Sequence, residues 1–183
     1  MIRSLRHRRL FKRWGIAPNS LRRFLAFAVL LIGISLVLPA PVYAGTQTVT
    51  TTADTQSMDG FCSLREAITA SNNQTATADC PNIGAAPNTI RLASGTTYTL
   101  TGTLPTITQP VTIEPVSGTA IVEAAITPNT ATYRVFTFNT TGSSALNNLT
   151  VRYGDTTSPG TTGGCVSLLT NGTLTITNVT FTA

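Results

Sequence analysis

Two stretches of this chain overlay without a gap at an offset of 30 residues: Val135 to Tyr153, VFTFNTTGSSALNNLTVRY, and Cys165 to Ala183, CVSLLTNGTLTITNVTFTA. Phe136 corresponds to Val166, Phe138 to Leu168, Gly142 to Gly172 and Leu146 to Ile176, while Asn148-Leu149-Thr150-Val151 corresponds to Asn178-Val179-Thr180-Phe181. Apolar, glycine and asparagine positions all coincide, which makes this an internal repeat of strands, the signature of a solenoid. Two copies leave a sandwich open as the alternative.

The phase inside each copy is more specific. Leu174 and Ile176 occupy even positions, whereas Val179 and Phe181 occupy odd ones. With a side-chain period of two, both pairs can face one interior only if the chain changes direction between them. Asn178 stands at that break, and Asn148 stands at the same place in the first copy. Asparagine tolerates left-handed backbone geometry better than most residues, so it suits a tight corner between two inward-facing strands. Strand, asparagine corner, strand and loop, then the same again, predict coils of a parallel β-helix over residues 89–183. From Thr89 onward, runs such as TIRL, TYTLT, VTIEP, AIVEA and TLTI, punctuated by Gly, Asn, Pro and Ser, read as strands and turns.

One stretch breaks the pattern. GFCSLREAIT, residues 60–69, places Ser63 three residues before Glu66, a capping box. Leu64, Ala67 and Ile68, with Ser71, then fall on one face, leaving Arg65, Glu66 and Thr69 outward. A helix from Ser63 to Asn72 is too short to stand alone and needs a surface to pack on. The open end of a solenoid provides such a surface, because unpaired backbone there must be covered. Residues 45–88 are therefore expected to form an N-terminal cap.

DGFCSLREAITASN followed by NTIRLASGTTYTLTG resembles the N-terminal region of the CSLREA family of secreted right-handed parallel β-helix proteins, with the six motif residues intact at Cys62 to Ala67. GGCVSLLTNGTLTITNVTF is similar to the repeat of those proteins and of polymorphic outer-membrane and adhesin-like passengers. The chain departs from that pattern at Cys165-Val166, where glycine and isoleucine are commoner, and in stopping at Ala183 after few coils. The resemblance implies a mainly β, right-handed parallel β-helix with a short N-terminal capping helix, carried at the cell surface or secreted. An apolar final strand ending at Val179 and Phe181 without a polar cap predicts self-association at an open C-terminal coil, or dependence on further coils.

Residues 1–44 read as a secretory leader. Eight basic residues (Arg3, Arg6, Arg8, Arg9, Lys12, Arg13, Arg22, Arg23) precede the 15 uncharged residues Phe24 to Leu38, and Val42-Tyr43-Ala44 presents small residues for cleavage between Ala44 and Gly45. Fifteen residues fall short of the roughly 20 that span a bilayer, so membrane contact is expected only through the leader before cleavage. Without the leader, four arginines face seven acids, 4 − 7 = −3. The basic balance of the whole chain thus belongs to the leader and gives no reason to expect a nucleic-acid partner. The expected location is secreted, at the cell surface or in the cell envelope.

Cys62 and Cys80 bracket the helix in a chain bound for an oxidising compartment, and a disulfide between them would contribute about 3 kcal/mol by loop entropy. Cys165 is then left over and reads as a small buried hydrophobe. Residues 45–183 hold no histidine and no lysine. Cysteine spacing suggests no metal site, no cofactor is expected, and no residue is assigned a catalytic role. Seven carboxylates, Asp54, Asp59, Glu66, Asp79, Glu114, Glu123 and Asp155, are scattered without an adjacent pair. Glu114 and Glu123 are the two that stacking could bring together, although solvated positions beside corners are the reading favoured for both. Five Asn-x-Thr sequons, at Asn73, Asn139, Asn148, Asn171 and Asn178, identify nothing by themselves, since Asn148 and Asn178 are better explained as corners.

Two functions remain. One is a non-enzymatic module for adhesion or carbohydrate contact, binding a surface glycan or a protein. The other is a glycan-active enzyme of the polysaccharide lyase or hydrolase kind, or its N-terminal fragment. The missing histidine, lysine and clustered carboxylates favour the first.

Overall fold

A computed structural model describes residues 43–155 and 164–182. The leader up to residue 42 lies outside the described residues, whereas Ala44 and Gly45 lie within them. The chain is mainly β with one short helix: β1 Ala44–Thr48, α1 Leu64–Asn73, β2 Ala85–Leu92, β3 Thr97–Thr99, β4 Val111–Pro115, β5 Ala120–Glu123, β6 Phe136–Phe138, β7 Ser143–Asn147, β8 Leu149–Arg152, β9 Val166–Leu168, β10 Thr173–Thr177 and β11 Thr180–Thr182.

The strands form three sheets, ordered β1-β2-β4-β7-β10, β11-β8-β5-β3 and β6-β9. Every strand pair is parallel, an arrangement consistent with a parallel solenoid. The 30-residue offset in the sequence is the step from one strand to its neighbour. Thr173 to Thr177 pair with Ser143 to Asn147, Thr180 to Thr182 with Thr150 to Arg152, and Phe136 to Phe138 with Val166 to Leu168.

Asn148 and Asn178 adopt the left-handed corner that their position in the repeat predicted, with φ of 53° and 52°. The corner at Asn148 turns a strand that buries even positions into one that buries odd positions. Ser144 and Leu146 are buried before Asn148, and Leu149 and Val151 after it. Gly172 is needed for close stacking, because a side chain there would collide with the Thr140 carbonyl of the preceding copy.

The register lines the core up in columns. Gln47, Ile90, Ile113, Leu146 and Ile176 are successive partners across one sheet, and Tyr98, Val122, Val151 and Phe181 across another. Ile90, Ile113, Leu146, Val122 and Val151 are fully buried. Removing each such side chain from water is worth about 2 kcal/mol.

The sheets begin earlier in the chain than the alternating runs from Thr89 suggested. GTQTV, residues 45–49, supplies Gln47 and Val49 as buried positions, and β1 pairs with β2, which itself starts at Ala85. A glutamine facing inward hides this strand from a pattern search. Its amide is satisfied locally, donating to the Thr48 carbonyl at 2.7 Å and accepting from the Asn82 N–H at 2.9 Å.

Helix α1 forms where its capping box placed it. Glu66 N–H donates to Ser63 Oγ at 3.1 Å, and Ser63 N–H donates to Glu66 Oε2 at 2.9 Å. Leu64, Ala67, Ile68, Ala70 and Ser71 are buried, and the helix packs against β2. Cys62 and Cys80, both fully buried, are disulfide-bonded with Cα atoms 5.1 Å apart, and Cys165 is free and only partly buried. Among the described residues no helix is long and apolar enough to cross a membrane. Residues 42–183 form a compact unit holding their own core, disulfide and helix.

Candidate functional site

The outward faces of the two larger sheets carry the polar chemistry of the chain. Parallel register places Thr99, Glu123, Arg152 and Thr182 side by side in one row. Thr99 Oγ1 donates to Glu123 Oε1 at 2.7 Å, and Arg152 Nε donates to Glu123 Oε2 at 2.7 Å. The Arg152 guanidinium also lies 4.9 Å from the centre of the Tyr153 ring, a cation–π contact. Glu123 was expected as a solvated residue, but it is only 3% exposed. Its two oxygens are taken by a hydroxyl and a guanidinium, which is how a carboxylate is kept charged away from water.

A second ion pair adjoins the cap. Arg65 Nε and Nη2 grip Asp54 at 2.9 and 2.6 Å, and Arg65 also donates to the carbonyls of Thr103 and Gly102. Asp54 accepts in addition from the Thr101 N–H at 2.8 Å. Arg65, assigned to the outer helix face, thus ties α1 to the segment after β3. Tyr133 Oη donates to the Ala124 carbonyl at 2.6 Å and lies 3.0 Å from the Leu100 carbonyl. Burial raises its phenol pKa, with the Asp54 charge adding and the Arg65 charge opposing.

On the larger sheet, the row Thr48, Arg91, Glu114, Asn147 and Thr177 holds the third pair, Arg91 Nη2 at 3.6 Å from Glu114 Oε1. Asn147 Nδ2 donates to Glu114 Oε2 at 3.2 Å. Beside it runs Thr46, Thr89, Thr112, Ala145 and Thr175, a nearly continuous threonine row.

The structure does not bring Glu114 and Glu123 together: they sit on different sheets, each with its own arginine. Three other acids have structural partners. Glu66 accepts from the N–H groups of Ser57 and Ser63, Asp59 from the Phe61 N–H and the Ser57 hydroxyl, and Asp79 from the Gly60 N–H. A shallow hollow of about 230 Å³ beside α1 includes Met58, Glu66, Asn73 and Asp79 in its lining. Among the described residues no three of His, Cys, Asp and Glu converge on one point.

Asn88 is the residue that sequence reasoning missed. It is fully buried, accepts from the N–H groups of Gly45 and Gly84 at 2.9 Å each, and donates to Gly84 O at 3.0 Å and Ser71 Oγ at 3.3 Å. One amide therefore joins β1, the loop before β2, and α1. Only its inward phase at Asn88, Ile90 and Leu92 could have signalled burial.

Fold and faces together define a mainly β chain whose all-parallel sheets turn rows of hydroxyls and neutralised ion pairs outward. Comparison with family models, curated proteins and solved structures found no match.

Proposed function

We propose that this chain is an exported right-handed parallel β-helix module that acts outside the cell or at its surface by binding, without catalysis. The observation that carries this reading is the threonine row Thr46, Thr89, Thr112, Ala145 and Thr175, laid against Thr48, Arg91, Glu114, Asn147 and Thr177. Neighbouring strands lie about 4.8 Å apart, so four intervals present polar groups at regular steps over about 19 Å. A hydroxyl both donates and accepts. A regular array of them suits a ligand that repeats along its length and carries hydroxyls itself, which describes a glycan chain. The carboxylates support binding over turnover, since Asp54, Glu114 and Glu123 are each engaged by an arginine.

The test is a glycan array probed with residues 42–183, run beside an assay for uronic-acid release from pectin and alginate. Saturable binding without release, weakened by Thr89→Val with Thr112→Val, is the expected result. Release of uronic acid, or binding indifferent to those substitutions, would overturn the proposal.

A further inference from the structure

Arg65, Arg152 and Arg91 each face a carboxylate, but they are held to different degrees. Arg65 spends its donors on Asp54 and on the carbonyls of Thr103 and Gly102, at 2.6 to 3.0 Å. Arg152 closes on Glu123 at 2.7 Å through both Nε and Nη2. Arg91 has no such closure: its Nη2 stands 3.6 Å from Glu114 Oε1, and its buried Nε meets no acceptor. That distance is too long for a hydrogen bond, so no hydrogen bond fixes the plane of this guanidinium. The Arg91 side chain is also the most exposed of the three, at 43% against 29% for Arg152 and 16% for Arg65.

Glu114 is likewise half committed. Its Oε2 accepts from Asn147 Nδ2 at 3.2 Å, while among the described residues Oε1 has only the distant guanidinium beside it. An open donor and an open acceptor therefore stand on neighbouring strands. A hydroxyl placed over them accepts from Arg91 and donates to Glu114.

Both residues lie in the row Thr48, Arg91, Glu114, Asn147 and Thr177, beside the row Thr46, Thr89, Thr112, Ala145 and Thr175. No other residue in these two rows is charged. An acidic polysaccharide carries charge at regular intervals along its length, and a surface that suits it needs a series of cations without acids between them. These rows offer one cation beside one anion. A ligand carboxylate that reached Arg91 would also lie against Glu114, a like-charge contact.

Resting on the reading of this face as a glycan-binding surface, we propose that its ligand is a neutral glycan with free hydroxyls, and that Arg91 and Glu114 together select it over acidic chains. The ligand runs across the strands, whose step of about 4.8 Å is close to the length of one sugar unit. One sugar hydroxyl bridges Arg91 and Glu114, and the threonines on either side take the neighbouring sugars. Glu114 acts twice, accepting from the neutral chain and repelling the acidic one.

The test is binding of residues 42–183 to immobilised oligosaccharides in matched pairs, each neutral chain of glucose, mannose or galactose set beside the same chain with its primary alcohols oxidised to carboxylates. At least one neutral chain is expected to bind, at least about tenfold tighter than its acidic counterpart and without sensitivity to added salt. Arg91→Gln weakens both classes, whereas Glu114→Gln weakens the neutral chain and strengthens the acidic one several-fold. Changes of opposite sign on two ligands cannot come from a loss of folded protein. Thr150→Val, at an outward position of the other sheet, leaves both unchanged. Acidic chains that bind as tightly as their neutral counterparts, or a Glu114→Gln variant that shifts both classes alike, would overturn this inference and leave glycan binding standing. Absence of binding to every chain would overturn the glycan reading and this inference with it.

Discussion

Replacing Asn148 tests the corner on which the repeat turns. Its φ of 53° lies in the left-handed region. Its backbone is held by two bonds, from Asn148 N–H to the Thr177 carbonyl at 2.9 Å and from Ala120 N–H to the Asn148 carbonyl at 3.3 Å. Its side chain accepts from Asn178 Nδ2 at 3.1 Å. Asn148→Gly keeps the dihedral and both backbone bonds and loses only the side-chain bond, so about 1 kcal/mol of stability should go. Asn148→Ala adds the left-handed penalty of about 1–2 kcal/mol, for a total of about 2–3 kcal/mol. Asn148→Val places a β-branched residue where such side chains are outliers and should lose the most. The strain cannot relax cheaply, because a shifted corner would turn Leu149 and Val151 outward from the buried row they occupy. Urea unfolding of residues 42–183, compared at a common slope, gives the three values. The order Asn, Gly, Ala, Val from most to least stable is expected. If alanine is no more damaging than glycine, the left-handed corner is not what asparagine supplies and the argument fails.

Loss of the cap disulfide in Cys62→Ser with Cys80→Ser should lower stability by about 3 kcal/mol, from the loop entropy of an 18-residue separation. Cys165→Ser should change it little, and non-reducing peptide mapping should show a Cys62–Cys80 link. Glu123→Ala leaves the Arg152 guanidinium and the Thr99 hydroxyl without their acceptor and should cost about 2 kcal/mol, below the usual loss for a fully buried pair because Arg152 still reaches water. Glu114→Ala, whose pair is longer and more exposed, should cost well under about 1 kcal/mol, and a double-mutant cycle with the arginines separates the two cases. Burial raises the phenol pKa of both Tyr98 and Tyr133, so the unfolded chain loses these protons first as pH rises. Their contribution is full below the unfolded value of about 10 and is lost as pH climbs through the folded values. Alkaline unfolding should therefore shift to higher pH in Tyr98→Phe, as followed by circular dichroism.

The strongest readings from sequence were of two kinds. The capping box at Ser63 and Glu66 and the asparagine corners at Asn148 and Asn178 are local: a few neighbouring residues settle the hydrogen bonds or the dihedral. The 30-residue repeat is periodic, and in stacked parallel strands the period of the sequence is the step of the register. The Cys62–Cys80 bond was legible because only three cysteines exist and two of them flank the helix.

The polar site was far less legible. The sequence reading favoured a solvated position for Glu123, which is buried instead, because alternation along β5 could not show that Arg152, 29 residues away, and Thr99, 24 residues away, would close over its oxygens. Asp54 and Arg65 meet across 11 residues with no periodic relation, and Asn88 reaches Gly45 across 43. Sequence by itself determined the strand period, the corners, the helix start and the disulfide, because each follows from propensity, spacing or count. Which carboxylate meets which arginine, and where Asn88 spends its four hydrogen bonds, were decided only by tertiary structure. Those partners are chosen by the lateral register of parallel strands, and register is a property of the stack as a whole that no single segment contains.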